Sequence, residues 1–273
     1  MKLFIGTLYS GENEFEDCLA SIQNQSYKNF EHFVFRDLPN REAHHALFKS
    51  FIDKKDAFDL LIKVDADMVI YSPNLFANIV NKMTQNPTLD VFSIGVFDFF
   101  TGEMIQGLNT YRNTVKWNFN QDTMFVDIPV AAPENSFYDQ TELAPAAIHC
   151  KNPSKYQAFH YGVHRGLKSI QKKHSTTHWA MLERVWQNFL RTDDERIGLA
   201  VLGAELVYAG IFTKEDVDYT NPKVKEVLEK YQDMDHNQIK QEVTKQRFLN
   251  WGFLPSDLRR RVLRRKFMDW WHF

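Results

Sequence analysis

Cysteine is nearly absent: Cys18 and Cys150 are the only two in 273 residues. Two thiols so far apart make neither a disulfide framework nor a zinc-binding spacing, and they point to a reducing compartment. Long apolar runs are missing as well, and no stretch approaches the roughly 18 apolar residues that a membrane span requires. The first apolar run, Leu3 to Leu8, falls short of a signal-peptide core, and Glu12 and Glu14 soon follow it. A cytoplasmic protein with an unprocessed N-terminus is therefore expected. Charge of one sign is not in excess, and a formal net charge of −2 gives no footprint for nucleic acid. Neither an internal repeat nor a low-complexity tract occurs. With 44 % hydrophobic and 25 % charged residues, the chain is not disordered and can bury a substantial core.

The most informative stretch is Leu60-Leu61-Ile62-Lys63-Val64-Asp65-Ala66-Asp67-Met68-Val69-Ile70. An apolar run this continuous reads as a strand buried on both faces of a parallel sheet. Strand alternation then places Asp65 and Asp67 on one side and Ala66 on the other. Two adjacent carboxylates repel, and burying them without a partner is costly. A hard divalent cation, Mg²⁺ or Mn²⁺, relieves that cost, and phosphate oxygens can complete its shell. Upstream, Leu3–Leu8, Glu14–Gln25, Phe30–Phe35 and Arg41–Asp53 read as strand, helix, strand, helix. Right-handed crossovers bring all the following loops to one edge, where open α/β sheets bind ligands.

On "FIGTLYSGENEFEDCLASIQNQSYKNFEHFVFRD" followed by "LLIKVDADMVI", the chain resembles a family-2 type glycosyltransferase of the GT-A fold. The resemblance covers about residues 1–100. It implies an α/β, Rossmann-like, mixed and mostly parallel central sheet flanked by helices. Residues 1–213 would form the glycosyltransferase domain, with 1–100 binding the nucleotide-sugar donor and 101–213 the acceptor. Residues 214–273 would be a helical C-terminal extension. Thr7, Leu8 and Tyr9 would line the nucleotide, Asp37 would meet the base, and Arg41 would reach a phosphate. Lys63 would bind the nucleotide-sugar, and Asp65 would approach the ribose or sugar and, with Asp67, the metal. Where family members often carry Asp-Gly-Ser, this chain has Asp37-Leu38-Pro39, and Asp37 can equally be a turn residue bonding its own backbone.

Further along, Pro73–Gln85 reads as a helix, Leu89–Val96 as a strand, and Phe97–Ile105 as a hairpin around Thr101-Gly102. Residues 106–145 break into short segments holding Trp117, Phe119, Phe125, Phe137 and Tyr138, suited to stacking on a glycan or lipid-linked glycan acceptor and equally to ordinary core. The glycine-punctuated stretch Ala158–Lys168 supplies His160, His164, Arg165 and Lys168. A late histidine often completes the metal shell in GT-A enzymes, which makes His160 or His164 the expected ligand; the alternative is that one or both hydrogen-bond within the fold. Arg165 and Lys168 would neutralise the leaving diphosphate. Asp193 and Asp194 sit where inverting members carry a general base; the alternative is capping of the next helix. By the same likeness Gly203–Tyr208 would lead from helix into strand.

The end of the chain changes character. Residues 257–273 hold six cations and two acids, a net +4, leaving −6 on the rest. On a helix, Leu258, Val262, Phe267 and Trp270 share a side, as suits an anionic membrane surface or, alternatively, packing on its own domain or a second subunit. The function expected is metal-dependent, inverting transfer of a sugar from a nucleotide-sugar to a glycan hydroxyl. The alternatives are nucleotidyl transfer on a similar sheet and a catalytically silent nucleotide- or glycan-binding domain.

Overall fold

The computed structural model describes residues 1–119, 124–125, 135–171 and 175–253. The chain divides into two compact units, one of Met1–Phe99 with Glu103–Pro153, the other of Phe100–Gly102 with Ser154–Phe273.

The first unit is built on β1 (Leu3–Tyr9), α1 (Phe15–Gln23), β2 (Phe30–Arg36), α2 (Asn40–Asp53), β3 (Leu60–Lys63), β4 (Met68–Ile70), α3 (Leu75–Gln85), β5 (Val91–Asp98), β6 (Glu103–Arg112), β7 (Ser136–Asp139) and β8 (Ala147–His149). The sheet runs β2-β1-β3-β6-β5-β8-β4, with β7 on β5. Its β1–β2, β1–β3, β5–β7 and β5–β8 pairs are parallel, and the β3–β6, β5–β6 and β4–β8 pairs antiparallel. This is the mixed, Rossmann-like arrangement implied by the GT-A resemblance.

Alternation sorts the apolar runs between two faces. Leu3, Ile5, Leu60 and Ile62 face Cys18 and Ile22 of α1 and Phe76 and Ile79 of α3. Phe4 and Leu61 face Leu47, Phe48 and Phe51 of α2. Strands covered on both faces must be apolar throughout, which is why these runs do not alternate with polar residues. With α1 on one face and α2 on the other, the chain steps one way from β1 to β2 and then back across β1 to β3. The β1/β3 boundary is therefore a topological switch point, with a crevice at the carboxyl ends of the strands.

Two expectations change here. The run through Asp65 and Asp67 is not one strand: β3 stops at Lys63, a tight turn with Met68 N–H donating to Asp65 O (2.9 Å) follows, and β4 begins at Met68. The two aspartates belong to that turn, so strand alternation does not set their directions. The aromatic middle is partly core, since Trp117 packs on Phe48 with ring centres 5.1 Å apart, whereas Phe119 and Phe137 are exposed.

In the second unit run α4 (Lys155–Ser169), α5 (Ser175–Arg191), α6 (Glu195–Tyr208), α7 (Pro222–Leu228) and α8 (His236–Phe253). The glycines around His160 are not loop punctuation. A Cβ on Gly162 would lie 1.7 Å from Ala200 O, and one on Gly203 2.4 Å from Phe159 O; both permit the close crossing of α4 and α6. Gly203–Tyr208 stays helical rather than leading into a strand. The boundary expected at 213 lies inside this unit, because Arg247 on α8 pairs with Glu205 on α6. The change occurs at Ser154, whose hydroxyl accepts from Gln157 N–H and starts α4. The basic tail from 257 lies outside the described residues. Among those described, no helix is long and apolar enough to cross a membrane.

Candidate functional site

Strands β5 and β8 run parallel to β1, β2 and β3, because β5 and β3 are both antiparallel to β6. The carboxyl ends of β1, β2, β3, β5 and β8 therefore share one edge, and so does the turn that enters β4. That turn is fixed from both sides: Ala66 N–H donates to Leu8 O (3.3 Å), and Cys150 N–H donates to Asp67 O (2.8 Å). The β1–α1 loop is latched nearby, with Asn152 N–H donating to Glu14 Oε1 (2.7 Å) and Asn13 Nδ2 to Asn152 O (2.7 Å).

These restraints converge on Asp67. Its Oδ2 lies 3.2 Å from His149 Nε2 and accepts from Cys150 Sγ at 3.3 Å. His149 Nδ1 is 2.6 Å from Asp98 Oδ1, and Asp98, at the end of β5, is fully buried. Asp65 turns instead to the buried ammonium of Lys63. Burial opposes the charge on Asp67, but His149, Cys150 and Lys63 outweigh it and hold the carboxyl down at about 2. For His149, burial is likewise outweighed, by Cys150, Asp67 and Asp98, so its imidazole is held well above the ordinary range. Burial and Asp67 push the Cys150 thiol well up. Glu12, whose Oε2 accepts from Ser10 N–H (2.7 Å), is pushed up to about 7 by burial and then by Asp67 and Asp65. Four acids thus crowd one edge with two cations among them.

Whether a metal fits can be judged from the oxygen that remains. Asp67 Oδ1 is buried and has no hydrogen-bond partner among the described residues. A buried carboxylate oxygen without a donor is rare in folded proteins and calls for a missing ligand. One carboxylate, one imidazole and one thiol, with donor atoms all within 4.8 Å of one another, form the one such group of three among the described residues. The donor set fits a divalent cation.

The other expected residues fall as follows. Thr7 is buried, with Oγ1 3.0 Å from His32 Nε2. Leu8 packs against the α2-side core. Tyr9 stacks on Phe15 at 4.1 Å with the Arg36 guanidinium over both rings. Asp37 takes a left-handed backbone (φ 54°) and donates its N–H to Tyr9 O (2.9 Å), the behaviour of a turn residue. Arg41 pairs with Glu42 at 3.0 Å.

His160, His164, Arg165, Lys168, Asp193 and Asp194 all belong to the second unit. The histidine beside Asp67 is His149. His160 is buried, donates Nε2–H to Val217 O (3.1 Å) and is pushed down to about 4 by burial. The His164 ring lies 6.1 Å from that of His160. The Arg165 guanidinium covers the Tyr161 ring, and Lys168 is buried. Asp194 caps α6: Oδ1 accepts from Arg196 N–H and Nε–H (2.9 Å each) and Oδ2 from Nη2 (2.6 Å). Burial raises its proton affinity, but the Arg196 bonds win and hold it below the usual carboxylate range, the wrong direction for a base that works near neutrality. Asp193 keeps a solvent-exposed carboxylate.

Sequence reasoning missed His149, Cys150, Asp98 and Glu12. A signal existed: Asp98 closes the apolar run Val91–Phe97 just as Asp65 follows Leu60–Val64, and His149-Cys150 closes Ala146–Ile148.

No protein-family model and no curated protein matches the chain. Among solved structures, S. aureus TarS is similar with a TM-score of 0.38 and 12 % identity, over 79 % of this chain and half of that one. A glycosyltransferase involved in glycosylation of the PBCV-1 major capsid gives 0.34 and 10 %, over 54 % and 94 %. A cytidylyltransferase from Leptospira borgpetersenii gives 0.36 and 11 %, over 69 % and 95 %.

Proposed function

We propose that the chain is a metal-dependent glycosyltransferase that moves a sugar from a nucleotide-sugar donor to a hydroxyl of a glycan or lipid-linked glycan. The observation that carries this reading is the buried oxygen of Asp67 that has no partner among the described residues, with His149 and Cys150 beside it at the carboxyl edge of the switch point. A divalent cation at Asp67 and His149 supplies charge neutralisation for a departing diphosphate. Lys63 holds Asp65 in place, leaving that half-buried carboxylate to meet the hydroxyls of a ribose or sugar. Tyr9 and Arg36, at the ends of β1 and β2, offer a ring and a guanidinium to a nucleoside. Asp98 fixes the His149 ring by accepting from Nδ1, as outer partners of metal-binding histidines do.

The test is donor hydrolysis and transfer across UDP-, GDP- and CDP-sugars with divalent metal present or chelated. Turnover is expected with one donor base, lost on chelation. In Asp67→Ala it should fall by more than the roughly 10–100-fold typical of losing an outer-shell partner. Turnover unaffected by chelation or by Asp67→Ala overturns the reading.

A further inference from the structure

We propose that the ion held at Asp67 is of the zinc class, bound through the thiolate of Cys150, rather than Mg²⁺ or Mn²⁺. The inference rests on the proposed reading only in placing a cation at Asp67; it concerns which cation this donor set selects.

Three observations support it. The first is spacing. Of the two Asp67 oxygens, Oδ1 lacks a donor among the described residues, and Oδ2 forms a triangle with His149 Nε2 and Cys150 Sγ with edges of 3.2, 3.3 and 3.6 Å, the longest between sulfur and nitrogen. A tetrahedral ion with bonds of about 2.0–2.1 Å to oxygen and nitrogen and about 2.3 Å to sulfur has ligand–ligand edges of about 3.3–3.5 Å. The triangle is thus one face of such a shell, with no movement beyond a few tenths of an ångström. The second is the backbone. Cys150 sits at φ 53°, a left-handed conformation uncommon for a residue with a side chain. Its N–H is tied to Asp67 O, which turns the sulfur back over the Asp67 carboxylate. The third is the buried Asp98 behind His149, completing the carboxylate–histidine arrangement that orients zinc-binding imidazoles.

The chemistry then chooses the ion. Thiolate and imidazole suit Zn²⁺ and its analogues, whereas Mg²⁺ prefers an all-oxygen octahedron and keeps its waters. Binding forms the metal–sulfur and metal–nitrogen bonds and releases the thiol proton and the Nε2 proton to bulk water. Among the described residues three supply ligands, which leaves the remaining position open, as in catalytic rather than structural zinc sites. A diphosphate oxygen is the group this open position suits.

The experiment titrates the full chain with Co²⁺, a spectroscopic stand-in for Zn²⁺. A thiolate-to-cobalt charge-transfer band in the near ultraviolet is expected, with the visible absorption of four-coordinate cobalt. An equimolar amount of Zn²⁺ should abolish it, and a hundredfold excess of Mg²⁺ should not. Cys150→Ser, checked for folding by circular dichroism, should lose the band and at least the roughly 10–100-fold of zinc affinity that outer-shell losses cost. Cys18→Ser should keep the band. Absence of the band from the wild-type protein overturns the inference without recourse to any variant, as does ready displacement of Co²⁺ by Mg²⁺. A cobalt–thiolate band in a protein that turns over no donor sustains the inference and removes the proposed function. Mg²⁺-supported transfer without the band does the reverse.

Discussion

Acidic side chains are handled in opposite ways in the two units. In the helical unit they are matched within the chain. Asp194 is held by Arg196, Glu205 by Arg247, and Asp216 by Lys223 and Thr213. At the sheet edge, Glu12, Asp65, Asp67 and Asp98 gather around Lys63 and His149, and among the described residues Asp67 Oδ1 finds no donor. A satisfied acid holds a fold together. An acid left short in a buried setting marks the place where something from outside belongs.

That contrast is open to attack at three points besides the donor assays. The largest expected effect is on the matched side. Arg247→Ala removes the cation shared by Glu183 and Glu205, and breaking a buried pair from one side costs about 3–5 kcal/mol. Because Arg247 is partly exposed, the lower end applies, and urea denaturation should show a loss of about 3 kcal/mol. A loss below about 1 kcal/mol would mean the helical unit does not depend on its internal matching.

Next in size is Glu12→Gln, studied with a chelator present. Between pH 4.5 and about 7 the folded wild type holds a proton on Glu12 that the unfolded chain has released, so its stability falls as pH rises through that window. The glutamine variant escapes this loss. It should match the wild type near pH ~4 and exceed it by on the order of 1–3 kcal/mol near pH ~8. Equal stabilities at both ends would show that the edge is not short of positive charge.

The smallest effect is that of Asp194→Ala. If the residue is a cap, the variant loses about 1 kcal/mol in thermal or urea unfolding and keeps donor turnover within a few-fold. A collapse of turnover at unchanged stability would restore Asp194 as the base.

How legible all this was in the sequence depends on how local the cause is. The β-α-β-α-β order, the Phe97–Ile105 hairpin and the buried character of Leu60–Lys63 were readable, because period and punctuation act over a few residues. The Asp65/Asp67 pair was given a geometry that did not hold: the apolar run suggested a single strand, but the chain turns between β3 and β4. The histidine was sought in Ala158–Lys168, where basic residues and glycines cluster visibly. Those glycines serve the contact between α4 and α6, and the histidine next to Asp67 lies 82 residues beyond it in sequence. Spacing rules find ligands along one element and are blind to ligands gathered from three.

By itself the sequence determined which segments would be buried and which strands would end in carboxylates, since burial of apolar surface is set by composition and period. Tertiary structure alone decided which ends meet. The pairing of β5 with β8 sets Asp98 beside His149. The Cys150–Asp67 backbone bond turns a lone thiol toward a carboxylate, and no pattern along the chain encodes hydrogen bonds between residues so far apart.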